Sequence, residues 1–198
     1  MISEELLYKY GAQEQQYEKG EFIFDEGGSA RYYFQIKEGE VKMNNFNEEG
    51  KEFVQGIFGK GRCFGEPPLF GEFNYPANAI SLKDSIVLRL KKEQLFELLN
   101  EHSNVLLEMT KSIAKRMNYK AIMLAEISSN TPEHRISRFL HYLKKDVYKI
   151  QEPFGFQVEL TRQQIADLTG LRVETVIRTI KSMEKAGALK IIQKKIFF

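Results

Sequence analysis

Short hydrophobic runs separated by glycines fill the chain between Gly20 and Leu90, as in EFIFDEGG, YYFQIKEGEVKM and EFVQGIFGKG. The runs recur at intervals of roughly 8 to 12 residues, which is the spacing of strands and turns in an antiparallel sandwich or barrel. The pattern therefore predicts that the first half of the chain is an all-β domain with short helical ends.

The hydrophobic period changes from Leu95 onward. Residues 95–129 contain neither glycine nor proline, and their apolar positions predict a short helix followed by a long one. Positions 106, 110, 113, 117, 120, 124 and 127 advance by alternating fours and threes. Five of them are apolar and form a predicted seam of coiled-coil type: Leu106, Ile113, Met117, Leu124 and Ile127. Two interpretations stay open, since the seam can pair with a second copy of the chain or pack on its own β domain.

A helix break follows at residues 130–132. Thr131 suits an N-cap and Pro132 suits the first helical position, so a new helix is predicted from Pro132 to about Ile150. A strand-like stretch, FGFQVEL, comes after it. The predicted domains are a β domain at residues 1–100, a long helix at 101–130 and a C-terminal domain at 131–198.

Residues 161–186, TRQQIADLTGLRVETVIRTIKSMEKA, predict two more helices. Thr161 and Gln164 have the spacing of a capping box, and Gly170 suits the turn that ends the first helix. The second helix is predicted at about residues 172–186. The side chains expected to face inward are Ile165, Ala166 and Leu168 of the first helix and Val173, Val176, Ile177, Ile180 and Met183 of the second. Two short helices joined by a glycine turn predict a helix-turn-helix, whose second helix enters the DNA major groove.

The polar residues of the second helix suit the reading of base edges. Arginine makes a bidentate contact to guanine and glutamate accepts from cytosine N4, so Arg178 and Glu174 are the principal candidates. Arg172 and Thr175 are further candidates beside them. An ordinary surface ion pair between Glu174 and Arg178, four residues apart, is the alternative interpretation.

A hairpin wing is predicted after Gly187, where ALKIIQKKIFF reads as two short strands around Gln193 and Lys194. Its lysines are suited to phosphate, and so are the residues at the start of the first helix, where free backbone N–H groups point outward. The predicted phosphate contacts are Thr161, Arg162, Gln163, Lys181 and Lys194.

Charge supports a division of labour between the two halves. Lys and Arg number 29 and Asp and Glu number 27 in the whole chain. Residues 1–130 carry 16 basic and 20 acidic side chains, whereas residues 131–198 carry 13 and 7. The basic surplus predicts that only the C-terminal part meets a polyanion.

The single cysteine, Cys63, excludes an intrachain disulfide, a cysteine-rich zinc site and an all-cysteine iron–sulfur cluster held by one chain. Its role is open between an oxidation sensor and a buried inert thiol. No histidine precedes His102, which disfavours a metal-dependent β-barrel enzyme, and neither a metal nor a cofactor is predicted. We expect a cytoplasmic protein without a membrane segment, since no apolar run approaches the ~18 residues that span a bilayer.

The stretch TRQQIADLTGLRVETVIRTIKSMEKAGAL resembles the winged helix-turn-helix of the Crp/Fnr regulators, and the order of parts agrees along the whole chain. The resemblance implies an α+β fold with an N-terminal antiparallel β-roll (a double-stranded β-helix), a long dimerisation helix and a C-terminal winged helix-turn-helix. It also implies a homodimeric, sequence-specific transcription regulator that binds an inverted-repeat operator, and RNA polymerase as a partner if it activates. Glu174 and Arg178 match the family's base-reading pair, and Arg162 and Gln163 its phosphate-contacting pair. Val173 stands where the cyclic AMP receptor has an arginine, and VET is closer to the Fnr pattern.

The first half resembles the cyclic-nucleotide-binding fold, in KGEFIFDEGG, YYFQIKEGEVKM and the start of its phosphate-binding cassette at residues 64–66. The effector pocket implied by this resemblance consists of Gly65, Glu66, Pro76, Ala77 and Lys120. Nucleotide-binding members have an arginine and a small hydroxyl residue where this chain has Pro76 and Ala77. A buried phosphate needs a cation and several donors, and proline supplies neither charge nor N–H.

Cyclic AMP is therefore not the expected effector. An unknown small effector and no effector at all both stay open. The alternative function is a ligand-binding regulatory module whose helical tail docks on a protein partner instead of DNA.

Overall fold

The structure is a computed structural model that describes residues 2–46, 48–50, 52–129 and 131–198, without the side chains of Met123, residues 126–129 and Val147. The chain divides into two compact units, Met1–Lys115 and Arg116–Phe198.

Antiparallel strands make up most of the first unit. They are β1 (Gln13–Tyr17), β2 (Phe22–Phe24), β3 (Tyr32–Glu38), β4 (Glu40–Phe46), β5 (Glu52–Gly59), β6 (Cys63–Phe64), β7 (Asn78–Ser81) and β8 (Ser85–Lys91). Within the described residues they form two four-stranded sheets, in the orders β1-β8-β3-β6 and β2-β7-β4-β5. The predicted β-roll is confirmed.

Strand β3 shows how the alternation of side chains builds two cores. Phe34 and Ile36 join a cluster with residues of both sheets, such as Val41 and Val87. Tyr33 points the other way, into a second cluster, because successive side chains of a strand lie on opposite faces. Both faces of the strand are therefore buried.

Helices cover the Tyr33 side of that sheet. They are α1 (Glu4–Lys9), α3 (Lys92–Glu101) and the first part of α4 (Ser103–Ser129), while α2 (Pro67–Gly71) follows β6. Leu7, Leu95 and Leu98 are fully buried in this second cluster, and Met109 of α4 joins them. Helix α4 begins in the first unit and ends in the second.

The second unit is mainly helical. Its elements after α4 are α5 (Pro132–Tyr142), a π-helical turn (Leu143–Val147), β9 (Gln157–Val158), α6 (Arg162–Thr169), α7 (Val173–Lys185), β10 (Lys190–Ile192) and β11 (Lys195–Phe197). The last three strands form a small sheet in the order β10-β11-β9. Its core joins Phe139, Ile165, Ile180 and Ile196, so each element contributes to one cluster.

The start of α5 agrees with the sequence. The side chain of Thr131 accepts a hydrogen bond from the His134 N–H at 3.3 Å, and Pro132 occupies the first turn. Asn130, at the predicted break, lies outside the described residues.

The end of α5 differs from the prediction of a helix to about Ile150. The α-helix ends at Tyr142, and the wider π-helical turn follows it, in which the Tyr148 N–H donates to the Leu143 carbonyl five residues back. Lys149 then adopts φ 60, which ends the helical path. Of the strand-like FGFQVEL, Gln157–Val158 forms the strand β9 against β11, and Phe156 exchanges two backbone hydrogen bonds with Phe198 just beyond the ends of these strands.

Candidate functional site

Helix α6 begins and ends as the sequence predicts. Thr161 Oγ1 accepts from the Gln164 N–H at 3.1 Å, and Gln164 Oε1 accepts from the Thr161 N–H at 2.8 Å. This reciprocal capping box sets the first helical residue at Arg162. Gly170 ends the helix at φ 66, a left-handed conformation that costs glycine little, and α7 starts three residues later. The helix-turn-helix is therefore formed by local signals at both of its joints.

One face of α7 holds it against the rest of the unit. Val176, Ile180 and Met183 are at most 1% exposed, as predicted. Thr179 joins them at 9%. The prediction that Ile177 faces inward is wrong, since its side chain is 40% exposed. Val173 and Leu168, also predicted to face inward, are half-buried.

The opposite face of α7 carries the predicted base-reading pair. Glu174 and Arg178 are both exposed. Neither side chain forms a hydrogen bond or an ion pair with any other residue of the described chain. The alternative of a surface ion pair is therefore not what the structure contains. A carboxylate and a guanidinium, one turn apart, are presented to solvent with their hydrogen-bonding groups unused.

The two further base-reading candidates lie at the start of the same helix. Arg172 is the N-cap residue, with an extended backbone at φ −77 and ψ 144, and it is exposed. Thr175 is half-buried. Arg172 therefore extends the exposed face by one residue beyond the helix, whereas Thr175 lies at its border.

The phosphate candidates at the start of α6 differ in their engagement. The Thr161 hydroxyl oxygen is used by the capping box, which leaves its O–H available as a donor. Gln163 Nε2 donates to Asp167 Oδ1 at 2.7 Å. Arg162 is half-buried, and this burial lowers its pKa while the Glu184 carboxylate counteracts the shift. Arginine stays protonated under such shifts, so a cation stands at the first position of the helix.

The wing forms as predicted around Gln193 and Lys194. Both residues have positive φ, 48 and 66, which is the geometry of a two-residue hairpin turn that matches the twist of its strands. Glu184 Oε1 accepts from the Ile191 N–H at 3.2 Å and so links α7 to the wing. Lys194 is exposed at the tip, and Lys181 is exposed on α7.

Aromatic rings occupy the interior of the β-roll beside the predicted effector pocket. The rings of Phe24 and Tyr75 stack with centroids 3.7 Å apart and planes 11° apart. Phe34 lies 5.6 Å from Phe24 and from Phe64. A Cβ on Gly65 would meet the Phe24 ring at 2.7 Å, and Gly65 adopts φ 69, so only glycine fits here.

The remaining pocket candidates are placed as follows. Glu66 is fully buried, and the Cys63 thiol donates to its Oε1 at 3.4 Å. Cys63 is itself buried. Ala77 is fully buried, whereas Pro76 is exposed and its carbonyl accepts from Asn45 Nδ2 at 2.7 Å. Lys120 is exposed on the part of α4 that belongs to the second unit.

The predicted seam of α4 divides between two environments. Ile113 packs against the core of the first unit, next to the buried Met109. Leu106, Met117 and Leu124 are 39%, 66% and 70% exposed. The side chain of Ile127 lies outside the described residues.

No group of three His, Cys, Asp or Glu side chains among the described residues is arranged to hold a metal ion. None of the helices described is both long and apolar enough to cross a membrane.

Residues 14–102 match the family model of the cyclic nucleotide-binding domain, and residues 134–197 match that of the Crp-like helix-turn-helix domain. A β-roll of this kind followed by this helix-turn-helix defines a class of DNA-binding transcription regulators. The chain belongs to the Crp/Fnr family of these regulators. Members of the family are regulators of transcription and not enzymes.

Two curated relatives illustrate the similarity. The cAMP-activated global transcriptional regulator CRP of Haemophilus influenzae is 27% identical over 179 residues, which covers 90% of this chain and 77% of the relative. The fumarate and nitrate reduction regulatory protein of Escherichia coli K12 is 25% identical over 175 residues, which covers 88% and 70%.

Solved structures share the fold. A CooA mutant from Carboxydothermus hydrogenoformans superposes with a TM-score of 0.81 at 19% identity, covering all of this chain and 87% of that one. The c-di-GMP responsive global regulator CLP of Xanthomonas campestris gives 0.74 at 22%, covering 97% and 96%.

Sequence reasoning missed two features of these sites. One is the exposure of Ile177, and the other is the Phe24–Tyr75 stack. The available signal for the first was its angle on the helix, since at about 100° per residue Ile177 lies a quarter turn from Val176 and thus at the edge of the buried face. No sequence signal pairs Phe24 with Tyr75.

Proposed function

We propose that this chain is a homodimeric, sequence-specific regulator that binds an inverted-repeat operator, with α7 of each copy in the major groove. The observation that supports this most directly is the free Glu174–Arg178 pair on the exposed face of α7. In the proposed complex Arg178 contacts guanine and Glu174 accepts from cytosine, with Arg172 and Thr175 beside them.

Phosphate contacts position the helix in this proposal. They come from Thr161, Arg162 and Gln163 at the start of α6, together with Lys181 and Lys194. The basic surplus of residues 131–198 supports the assignment, because counterion release on phosphate neutralisation supplies sequence-independent affinity. Such a protein acts in the cytoplasm, and RNA polymerase is its partner wherever it activates transcription.

The homodimer is proposed to form along α4. Leu106, Met117 and Leu124 are exposed in the single chain, and burying them against a second copy removes apolar surface from water. Ile113 is already packed on its own unit, so it contributes to the seam only from its margin. Two-fold symmetry then presents two α7 helices, which calls for half-sites about one DNA turn apart.

Cyclic AMP is not the proposed effector. Pro76 and Ala77 supply no cation for a phosphate, and the Phe24 ring lies against Gly65 at the start of the matched cassette. Thermal unfolding with and without about 1 mM cyclic AMP tests whether the nucleotide binds, because a ligand present at about 100 times its Kd stabilises the fold by about 2.7 kcal/mol. A clear rise in Tm with cyclic AMP would contradict the proposal.

Selection of bound duplexes from a random pool, with the purified full chain and no added ligand, tests the function itself. We expect an inverted repeat whose half-sites lie about 10 base pairs apart, centre to centre. Fluorescence anisotropy on a selected and a random duplex should show affinity that falls steeply between about 50 and 200 mM salt. A pool without enrichment, or binding that ignores salt, would favour the alternative of docking on a protein partner.

A further inference from the structure

Ile177 is the one large aliphatic side chain on α7 that the described structure leaves exposed, at 40%. Its neighbours in the helix, Val176 and Ile180, are at most 1% exposed, so the exposure is a property of its angle on the helix. A β-branched aliphatic side chain has few rotamers and carries no hydrogen-bonding group. Its surface in water is therefore apolar and fixed in position.

The position of Ile177 puts it among the proposed DNA contacts. Glu174 is three residues before it and Lys181 four residues after it, the two spacings at which helical side chains lie side by side. Arg178 follows it directly on the same exposed side. Any surface that meets Glu174 and Lys181 together must also cover Ile177.

A base pair offers an apolar partner for such a side chain at one place in the major groove. Thymine alone presents a methyl group there, on C5, whereas cytosine, adenine and guanine present hydrogen-bonding atoms. Covering a polar base edge with an aliphatic group removes its water without supplying a replacement bond. Ile177 is therefore favourable opposite thymine and unfavourable opposite the other bases.

We infer that Ile177 is a specificity-determining residue that selects a thymine, through its C5-methyl group, at one position of each half-site next to the base read by Glu174. The inference rests on the proposed function, since it needs α7 in the major groove. Thymine is a base that neither the Glu174 carboxylate nor the Arg178 guanidinium selects in the proposed complex.

Replacing thymine by deoxyuridine tests the methyl contact alone, because it removes the methyl group and keeps every hydrogen-bonding atom. In the half-site obtained by selection, each thymine is replaced in turn and the Kd is measured by fluorescence anisotropy. One replacement should weaken the wild-type chain about fourfold, the amount that one buried CH₂-sized group contributes. The same replacement should leave the Kd of Ile177→Ala unchanged.

Two further variants make the comparison specific. Ile177→Val, which is shorter by one carbon, should show a loss between those of wild type and Ile177→Ala. Ser182→Ala, at another exposed position of α7, should keep the full wild-type response to deoxyuridine. Because Ile177 and Ser182 are both exposed, thermal unfolding should show the variants to be folded.

The outcomes separate this inference from the function on which it rests. An operator whose deoxyuridine replacements are all without effect, or that weaken Ile177→Ala as much as wild type, overturns the role of Ile177 alone. A random pool that yields no bound duplex overturns the proposed function and this inference with it.

Discussion

Arg178 offers the most discriminating test of how this protein recognises DNA. In the described chain its guanidinium has no hydrogen bond and no ion pair, and it is exposed. Removing it therefore breaks no internal contact, and we expect Arg178→Ala to change the free energy of unfolding by less than about 0.5 kcal/mol. Any larger change in DNA affinity then comes from the complex and not from misfolding.

The size of that change follows from the proposed contact. A bidentate pair with guanine is worth about 1 to 3 kcal/mol of discrimination, which is about 5-fold to 150-fold in Kd for one half-site. A dimer that uses both half-sites loses about twice that free energy. On a random duplex, where no guanine is aligned with Arg178, only the general electrostatic attraction falls.

A charge-conserving variant separates the two effects. Arg178→Lys keeps the positive charge but loses the planar fork of donors, so it should lose most of the specific affinity and keep its random-duplex affinity. Lys185→Ala serves as the matched control, since it removes one exposed charge from the end of the same helix. It should weaken both duplexes slightly and equally.

Fluorescence anisotropy at one salt concentration, on the selected and on a random duplex, measures all three variants. The ratio of the two Kd values is the relevant quantity. Base reading by Arg178 is refuted if Arg178→Ala lowers affinity for both duplexes by the same factor, or if Arg178→Lys binds the selected duplex like wild type.

Three other expectations follow from the structure. Arg162→Ala should weaken binding to every duplex, because it removes a phosphate contact. In a salt titration, the slope of log Kd against log salt should become flatter by about one unit per half-site. An unchanged slope would exclude that contact. Leu124→Glu should give a monomer in analytical ultracentrifugation, because it puts a charge on the predicted seam at a position that is 70% exposed in the single chain. The control Leu107→Glu, which lies off the seam and is 54% exposed, should remain dimeric. A dimeric Leu124→Glu would argue against the seam. Burial raises the pKa of Tyr75 to about 12, so the folded chain keeps the Tyr75 hydroxyl proton to higher pH than the unfolded chain. The contribution of this protonated hydroxyl to the free energy of unfolding is complete below about pH 10 and is lost between about pH 10 and 12. Urea unfolding between about pH 10 and 12 measures this effect, and over that pH range Tyr75→Phe should lose less free energy of unfolding than wild type, by on the order of 2 kcal/mol. Parallel plots of the free energy of unfolding against pH would show that the Tyr75 proton is not involved.

Features that depend on residues close in sequence were predictable. The capping box of Thr161 and Gln164, the turn at Gly170 and the N-cap at Thr131 all form as the sequence predicts. Each is an interaction within three or four residues, so the chain needs no distant partner to make it. The same holds for the wing turn at Gln193 and Lys194, which joins adjacent strands.

The presence of the strands and of the long helix was also predictable from the sequence, because glycine spacing and hydrophobic period indicate the type of secondary structure. Their ends were not. The helix that starts at Pro132 widens at Leu143, and the strand β9 covers only two residues of FGFQVEL. The length of a strand is set by the strand it pairs with, which lies far away in the chain.

The candidate site shows the same division. The sequence by itself determined which residue types stand on α7 and that Val176, Ile180 and Met183 share its buried face. The helical angle puts Ile177 at the edge of that face, a quarter turn from Val176. The tertiary structure decided that this edge position lies outside the core, because the width of a buried face depends on how closely the neighbouring elements approach. Likewise only the packing of two sheets brings Phe24 onto Tyr75, since these rings are 51 positions apart and nothing local relates them.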